Sequence, residues 1–150
     1  MAPLFAFLHH LAAFALVAAL AVQLVLIRDE LTLKSARKLA LTDAVLGASA
    51  GILLVVGLAR VFHLEKGAAY YFHTWTFIAK LSLFVIVALI SIVPTREFLS
   101  WRKTMRQGQT PVVTADRLRF LRTIIHLELA GVVLIILFAA LMAKGVGLMR

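Results

Sequence analysis

Apolar positions along the chain gather into four long stretches, separated by polar and mostly basic connections. The first covers about residues 4–27 and is broken only by His9, His10 and Gln23. The second covers about 44–62 and contains Gly47, Gly51 and Gly57. The third, about 75–93, contains Lys80, and the fourth, about 127–143, has Glu128 at its start. About 20 residues of helix cross a bilayer core, and about 17 suffice. The Leu/Ala/Val runs lack the alternation of a barrel strand. An open strand would leave its backbone unpaired in lipid. The pattern predicts an all-α fold, an integral membrane four-helix bundle, as a single transmembrane domain over residues 1–150.

The connections predict how the helices begin and end. Residues 28–41 are polar and basic, with helix expected after Ser35. Residues 63–74 (HLEKGAAYYFHT) form a short loop whose Tyr70, Tyr71 and Phe72, with Trp75 just beyond, suit the membrane–water boundary. Pro94 is expected to close the third span, and residues 96–106 to continue as a helix leaving the membrane. Residues 107–111 break that helix, and Thr110 and Pro111 are expected as cap and first residue of the last one. The amino-terminal apolar run has no Lys or Arg before it and is too long for the core of a signal peptide, so it reads as a retained span.

Composition agrees with the pattern. The 150 residues are 63% hydrophobic and 15% charged, with a mean hydropathy of +1.00. Soluble domains are roughly 45–50% apolar and about 25% charged. Disorder and a water-soluble globule are both excluded. The absence of cysteine removes disulfides, thiolate metal sites and cysteine nucleophiles. The net charge of +9 would suggest nucleic acid in a soluble protein, but its placement favours a lipid surface. Eleven Lys/Arg lie in the first and third connections, against four on the opposite side, Arg60, Lys66, Lys144 and Arg150. The positive-inside rule therefore predicts both termini outward.

Chemistry is expected at the polar residues inside the spans, where an ionisable group costs about 2.5–3.5 kcal/mol on insertion scales. His10 and Lys80 each lie six residues into a span entered from the same side, roughly 9 Å deep. An imidazole and an amine at one level could ligate a metal or haem iron, or the lysine could hold an anionic group. The competing expectation is that Lys80 snorkels and the histidines mark the interface. His9 is about 100° from His10 around the helix and cannot share one centre with it. Arg60, with His63, Glu65, Lys66 and His73, forms an outer rim suited to carboxylates such as haem propionates, or to ordinary interfacial charge. A second layer holds Arg28, Asp43, His126 and Glu128, expected as ion pairs fixing the bundle, with a proton relay as the alternative. The glycines of the second span suggest close helix packing or room for a flat ligand. Phosphate loops, HExxH, GxSxG and CxxC motifs are absent.

The opening FLHH, TDAVLGASAGILLVVGLARVF, EKGAAYYFHTWTFIAK, SIVPTREFLSW and the closing ALMAKG resemble a family of short bacterial four-helix membrane proteins of unknown function. With FIAKLSLFVIV around the lysine and LRTIIHLELA in the last helix, the chain is also distantly similar to HemJ-type protoporphyrinogen oxidases, and beyond them to CopD-type copper-resistance proteins. The resemblance implies a bacterial inner-membrane protein. It further implies b-type haem or a porphyrin near the outer face and possible oxidoreductase activity. His10 would then be the axial metal ligand, with Lys80 as second contact, His9 beside them and Arg60 as propionate anchor. Two alternatives stay open: a non-catalytic helper or transporter-like subunit, and a copper-handling protein using His9, His10 and methionines. The partners expected are the bilayer and either a second copy or a larger membrane complex, with no nucleic acid.

Overall fold

The computed structural model describes residues 2–64 and 68–147. The helices are α1 (Ala2–Leu26), α2 (Leu33–Ala59), α3 (Ala68–Phe72), α4 (Trp75–Ser100), α5 (Arg102–Arg106) and α6 (Ala115–Ala143). A π-helical turn, Arg60–Leu64, continues α2. Among the described residues there is no strand. Four helices are long and apolar enough to cross a membrane. Glu65 and Lys66 of the expected rim lie outside the described residues.

The helices outrun the apolar stretches because hydropathy marks where a helix meets lipid, while capping marks where it begins. Helix α2 starts at Leu33, well ahead of its apolar run. The Thr32 hydroxyl accepts from the Ser35 N–H at 3.1 Å, and the Thr32 N–H donates to Ser35 Oγ at 2.8 Å. This reciprocal box satisfies two backbone donors. Thr32→Ala should therefore cost about 1 kcal/mol, seen as a lower melting temperature in detergent. The last helix is capped by Thr114, not Thr110: its hydroxyl accepts from the Arg117 N–H at 3.3 Å, and Asp116 sits in the positive first turn. Pro94 does not close the third span. It lies buried inside α4, where neighbouring helices tolerate the lost backbone donor. The connection before α4 is also more structured than a loop, since it contains the π turn and α3.

Around the bundle the order is α1, α2, α4, α6. Extensive α1–α2 and α4–α6 pairs meet along narrower α1–α6 and α2–α4 seams. Helices α1 and α4 occupy opposite corners and make no contact among the described residues. The larger core, with Leu20, Leu39, Phe98, Leu121 and Ile125, lies toward the basic end. A smaller cluster of Val61, Tyr71 and Phe77 lies at the end that carries both termini. Large apolar side chains such as Phe14, Val55 and Leu89 point outward, as lipid allows.

Two glycines permit close approaches. A Cβ on Gly131 would run into Val87 Cγ2, so the α4–α6 pair depends on its absence. Gly147, at φ +103°, brings the chain after α6 back over the start of α4. There its carbonyl accepts from the Trp75 N–H at 2.9 Å, and the Val146 carbonyl accepts from the Thr76 hydroxyl at 2.9 Å. The expected packing role of the α2 glycines is not what the fold uses. A Cβ at Gly47 or Gly51 would meet nothing within 4 Å, and Gly57 faces a side chain instead.

Candidate functional site

Polar residues occupy two layers. In the layer at the terminal end, His10 is exposed, and its Nδ1 lies 2.6 Å from the Ala6 carbonyl. That contact requires an N–H on Nδ1, so in the neutral ring Nε2 is the acceptor nitrogen. His73 does the same with the Ala69 carbonyl at 2.7 Å. His9 is the half-buried member of the pair. Its ring faces α2, with Cε1 where a Cβ on Gly57 would come within 3.4 Å. The adjacent histidines thus divide their roles by their 100° separation, one toward lipid and one into the α1–α2 seam. Lys80 reaches back one turn, placing Nζ 5.3 Å from the centre of the Phe77 ring. Its direction is that of a helical side chain returning toward its own N-terminus. His10 and Lys80 are not brought together: they belong to opposite corners, and His10 faces outward. As placed, they do not fit a shared haem between the helices. Arg60 is half-buried at the first position of the π turn, a distortion that recurs at functional sites. Among the described residues no three His, Asp or Glu converge to hold a metal ion.

The second layer lies toward the basic end and differs from the expected ion pairs. Arg28 and His126 pair with each other instead of with the acids. His126 Nδ1 donates to the Arg122 carbonyl at 2.7 Å, so its Nε2 accepts from the Arg28 guanidinium at 3.3 Å. Both residues are exposed. Asp43 is buried, and its Oδ1 accepts from the Thr95 hydroxyl at 3.0 Å and from Gln23 Nε2 at 3.4 Å. Glu128, from α6, is fully buried, and neither of its carboxyl oxygens has a hydrogen-bond partner among the described residues. Ser91 stands beside it, but its hydroxyl donates to the Val87 carbonyl at 2.9 Å. Gln23 is equally buried, and its Oε1 is also without a partner among the described residues. The carboxyls of Asp43 and Glu128 are close enough to act on each other through space.

All four bundle helices contribute to this layer, and a cavity adjoins it. A cavity of about 290 Å³ between α2 and α4 is lined by Asp43, Thr95 and Arg102, with Ala44, Gly47 and Ala48 as its small-residue wall. It connects Asp43 to the basic end, while Glu128 lies outside its lining. Sequence reasoning located Asp43 and Glu128 but gave no role to Gln23, Ser91 or Thr95. The available signal was Gln23, an isolated amide in an apolar span.

Comparison with known proteins gives a family. No curated protein and no solved structure matches the chain. Residues 2–147 match the family described as "Predicted membrane protein (DUF2214)". A match over nearly the whole chain, on a bundle with four helices fit to span a bilayer, makes this protein a member of the DUF2214 family of predicted membrane proteins.

Proposed function

We propose that the chain is a transporter-like or helper membrane protein whose working site is the Gln23–Asp43–Thr95–Glu128 layer, loaded with a proton from the basic end. The observation carrying this reading is the Glu128 carboxyl: fully buried, with both oxygens unpartnered among the described residues. An uncompensated buried carboxylate costs several kcal/mol. An exchangeable cation removes that cost, and a proton is the smallest one. Asp43, held by Thr95 and Gln23 at the cavity wall, is the entry group, and Glu128 is the inner one. The test is proton flux in vesicles. After an imposed pH step, wild-type vesicles should equilibrate faster than Glu128→Gln vesicles. Equal rates would remove the reading.

The orientation belongs to the same proposal. Basic connections on the cytoplasmic side of a bacterial inner membrane place the cavity mouth inside and both termini outside. A reporter that works only in the cytoplasm should stay inactive when fused after Arg150, and strong activity there would invert the assignment.

A second reading retains b-type haem or a porphyrin. It is favoured by His10, whose Nδ1–H is committed to a backbone carbonyl, the usual arrangement of an imidazole that ligates through its other nitrogen. Such a group would lie against the lipid-facing side of α1, and it would supply redox chemistry through its iron. Purified protein should then show a haem spectrum that His10→Ala abolishes and His9→Ala leaves in place. A colourless wild type would end this reading.

A further inference from the structure

A groove outside the acid layer has a ligand chemistry of its own. It runs between α2 and the α4–α5 junction, where a surface cavity of about 400 Å³ is lined by Arg37, Arg102 and Arg106 together with Ala40, Leu41 and Ala44. No acidic side chain is among its lining residues. The cavity that reaches Asp43 shares Ala40, Ala44 and Arg102 with it, so the two adjoin.

The framework holds one of the arginines in place. The Arg37 guanidinium donates to the Met105 carbonyl at 3.2 Å, tying the first turns of α2 to α5. Met105 and Trp101 are buried beneath. Arg102 and Arg106 are spaced i,i+4 and share one face of α5. Among the described residues none of the three arginines is in an ion pair; the pairs there join Arg117 to Glu97 and Arg119 to Asp116. Below the arginines the groove meets the Asp43 cavity, where Ala44, Gly47 and Leu99 form an apolar wall beside Asp43 and Thr95. Leu41 and Leu99 are exposed toward lipid, and a Cβ on Gly47 would meet nothing within 4 Å.

We infer that this groove is a binding site for an anionic phospholipid. Its headgroup phosphate sits among Arg37, Arg102 and Arg106, and one acyl chain lies along Ala44, Gly47 and Leu99. Arginine forks match phosphate oxygens in geometry and charge. Basic pockets between membrane helices are suited to such headgroups. The apolar wall of Ala44, Gly47 and Leu99 distinguishes a lipid from a free anion, since inorganic phosphate would leave it uncovered. The inference does not rest on proton loading, because it uses neither Gln23 nor Glu128, but its acyl chain shares Ala44, Gly47 and Leu99 with the wall of the Asp43 cavity.

The test is lipid retention by the purified full-length protein in mild detergent, read by native mass spectrometry. The probes are phosphatidylglycerol, phosphatidylcholine and inorganic phosphate. Wild type should retain phosphatidylglycerol over phosphatidylcholine, and millimolar inorganic phosphate should not displace it. The Arg102→Gln/Arg106→Gln double variant should lose about 30-fold in phosphatidylglycerol affinity, from two interfacial arginines. The Arg119→Gln/Arg122→Gln control removes the same charge elsewhere and should retain the lipid. Gly47→Leu, at a position where a Cβ meets nothing within 4 Å, should weaken retention with every arginine present. Equal retention of the two lipids, displacement by inorganic phosphate, equal losses in the two double variants, or unchanged binding in Gly47→Leu would each overturn the site.

Discussion

Glu128→Leu should give a more stable bundle, by about 1–3 kcal/mol, with a higher melting temperature in detergent. The carboxyl is fully buried and has no hydrogen-bond partner among the described residues, so leucine removes a cost and strands nothing. Asp43→Leu should do the reverse. It would abandon the Thr95 hydroxyl and the Gln23 amide, both donors to Asp43, each at about 1–3 kcal/mol. This opposite response of two acids in one layer separates the account from an ion-paired scaffold. In such a scaffold, deleting either acid would cost about 3–5 kcal/mol. Thermal unfolding of the two variants beside wild type decides it, and a destabilised Glu128→Leu would return Glu128 to the scaffold.

Gly131→Ala should be among the most damaging single substitutions. The added Cβ would run into Val87 Cγ2 on the facing helix. Valine in a helix has essentially one χ1 rotamer, so it cannot swing aside. Overpacking of this kind costs about 1–3 kcal/mol. Val87→Ala should restore most of the loss in the double variant, because it removes the atom that is struck. Additive losses from the two substitutions would show that the α4–α6 contact is not the cause. By contrast Gly51→Ala, which meets nothing within 4 Å, should be nearly silent.

The spans were legible because lipid leaves few alternatives: a long apolar run without alternation must be a helix. Helix ends were less legible. The run at 44–62 says where α2 enters lipid, whereas the Thr32–Ser35 box sets its start at Leu33. Thr110–Pro111 carried a plausible start signal, yet Thr114 caps α6. What sequence could not supply was rotation. Helix α1 is apolar nearly all round, so nothing in it says whether His9 or His10 turns to a neighbour. Depth made His10 and Lys80 look like partners, but the order of helices puts α1 and α4 at opposite corners. The same limit applies to the inner layer. Its membership in Asp43 and Glu128 was readable from depth, but not that Arg28 would turn to His126 and leave both acids. Glycine spacing pointed to α2, while the close approach falls at Gly131, which no repeat marks.

The most direct measurement of the proton-loaded layer is pH-dependent infrared difference spectroscopy of the protein in lipid, comparing wild type with Glu128→Gln. Glu128 exchanging a proton through the Asp43 cavity predicts a carboxyl C=O band in wild type that changes with pH and is missing from the variant. Identical difference spectra for the two proteins would contradict it.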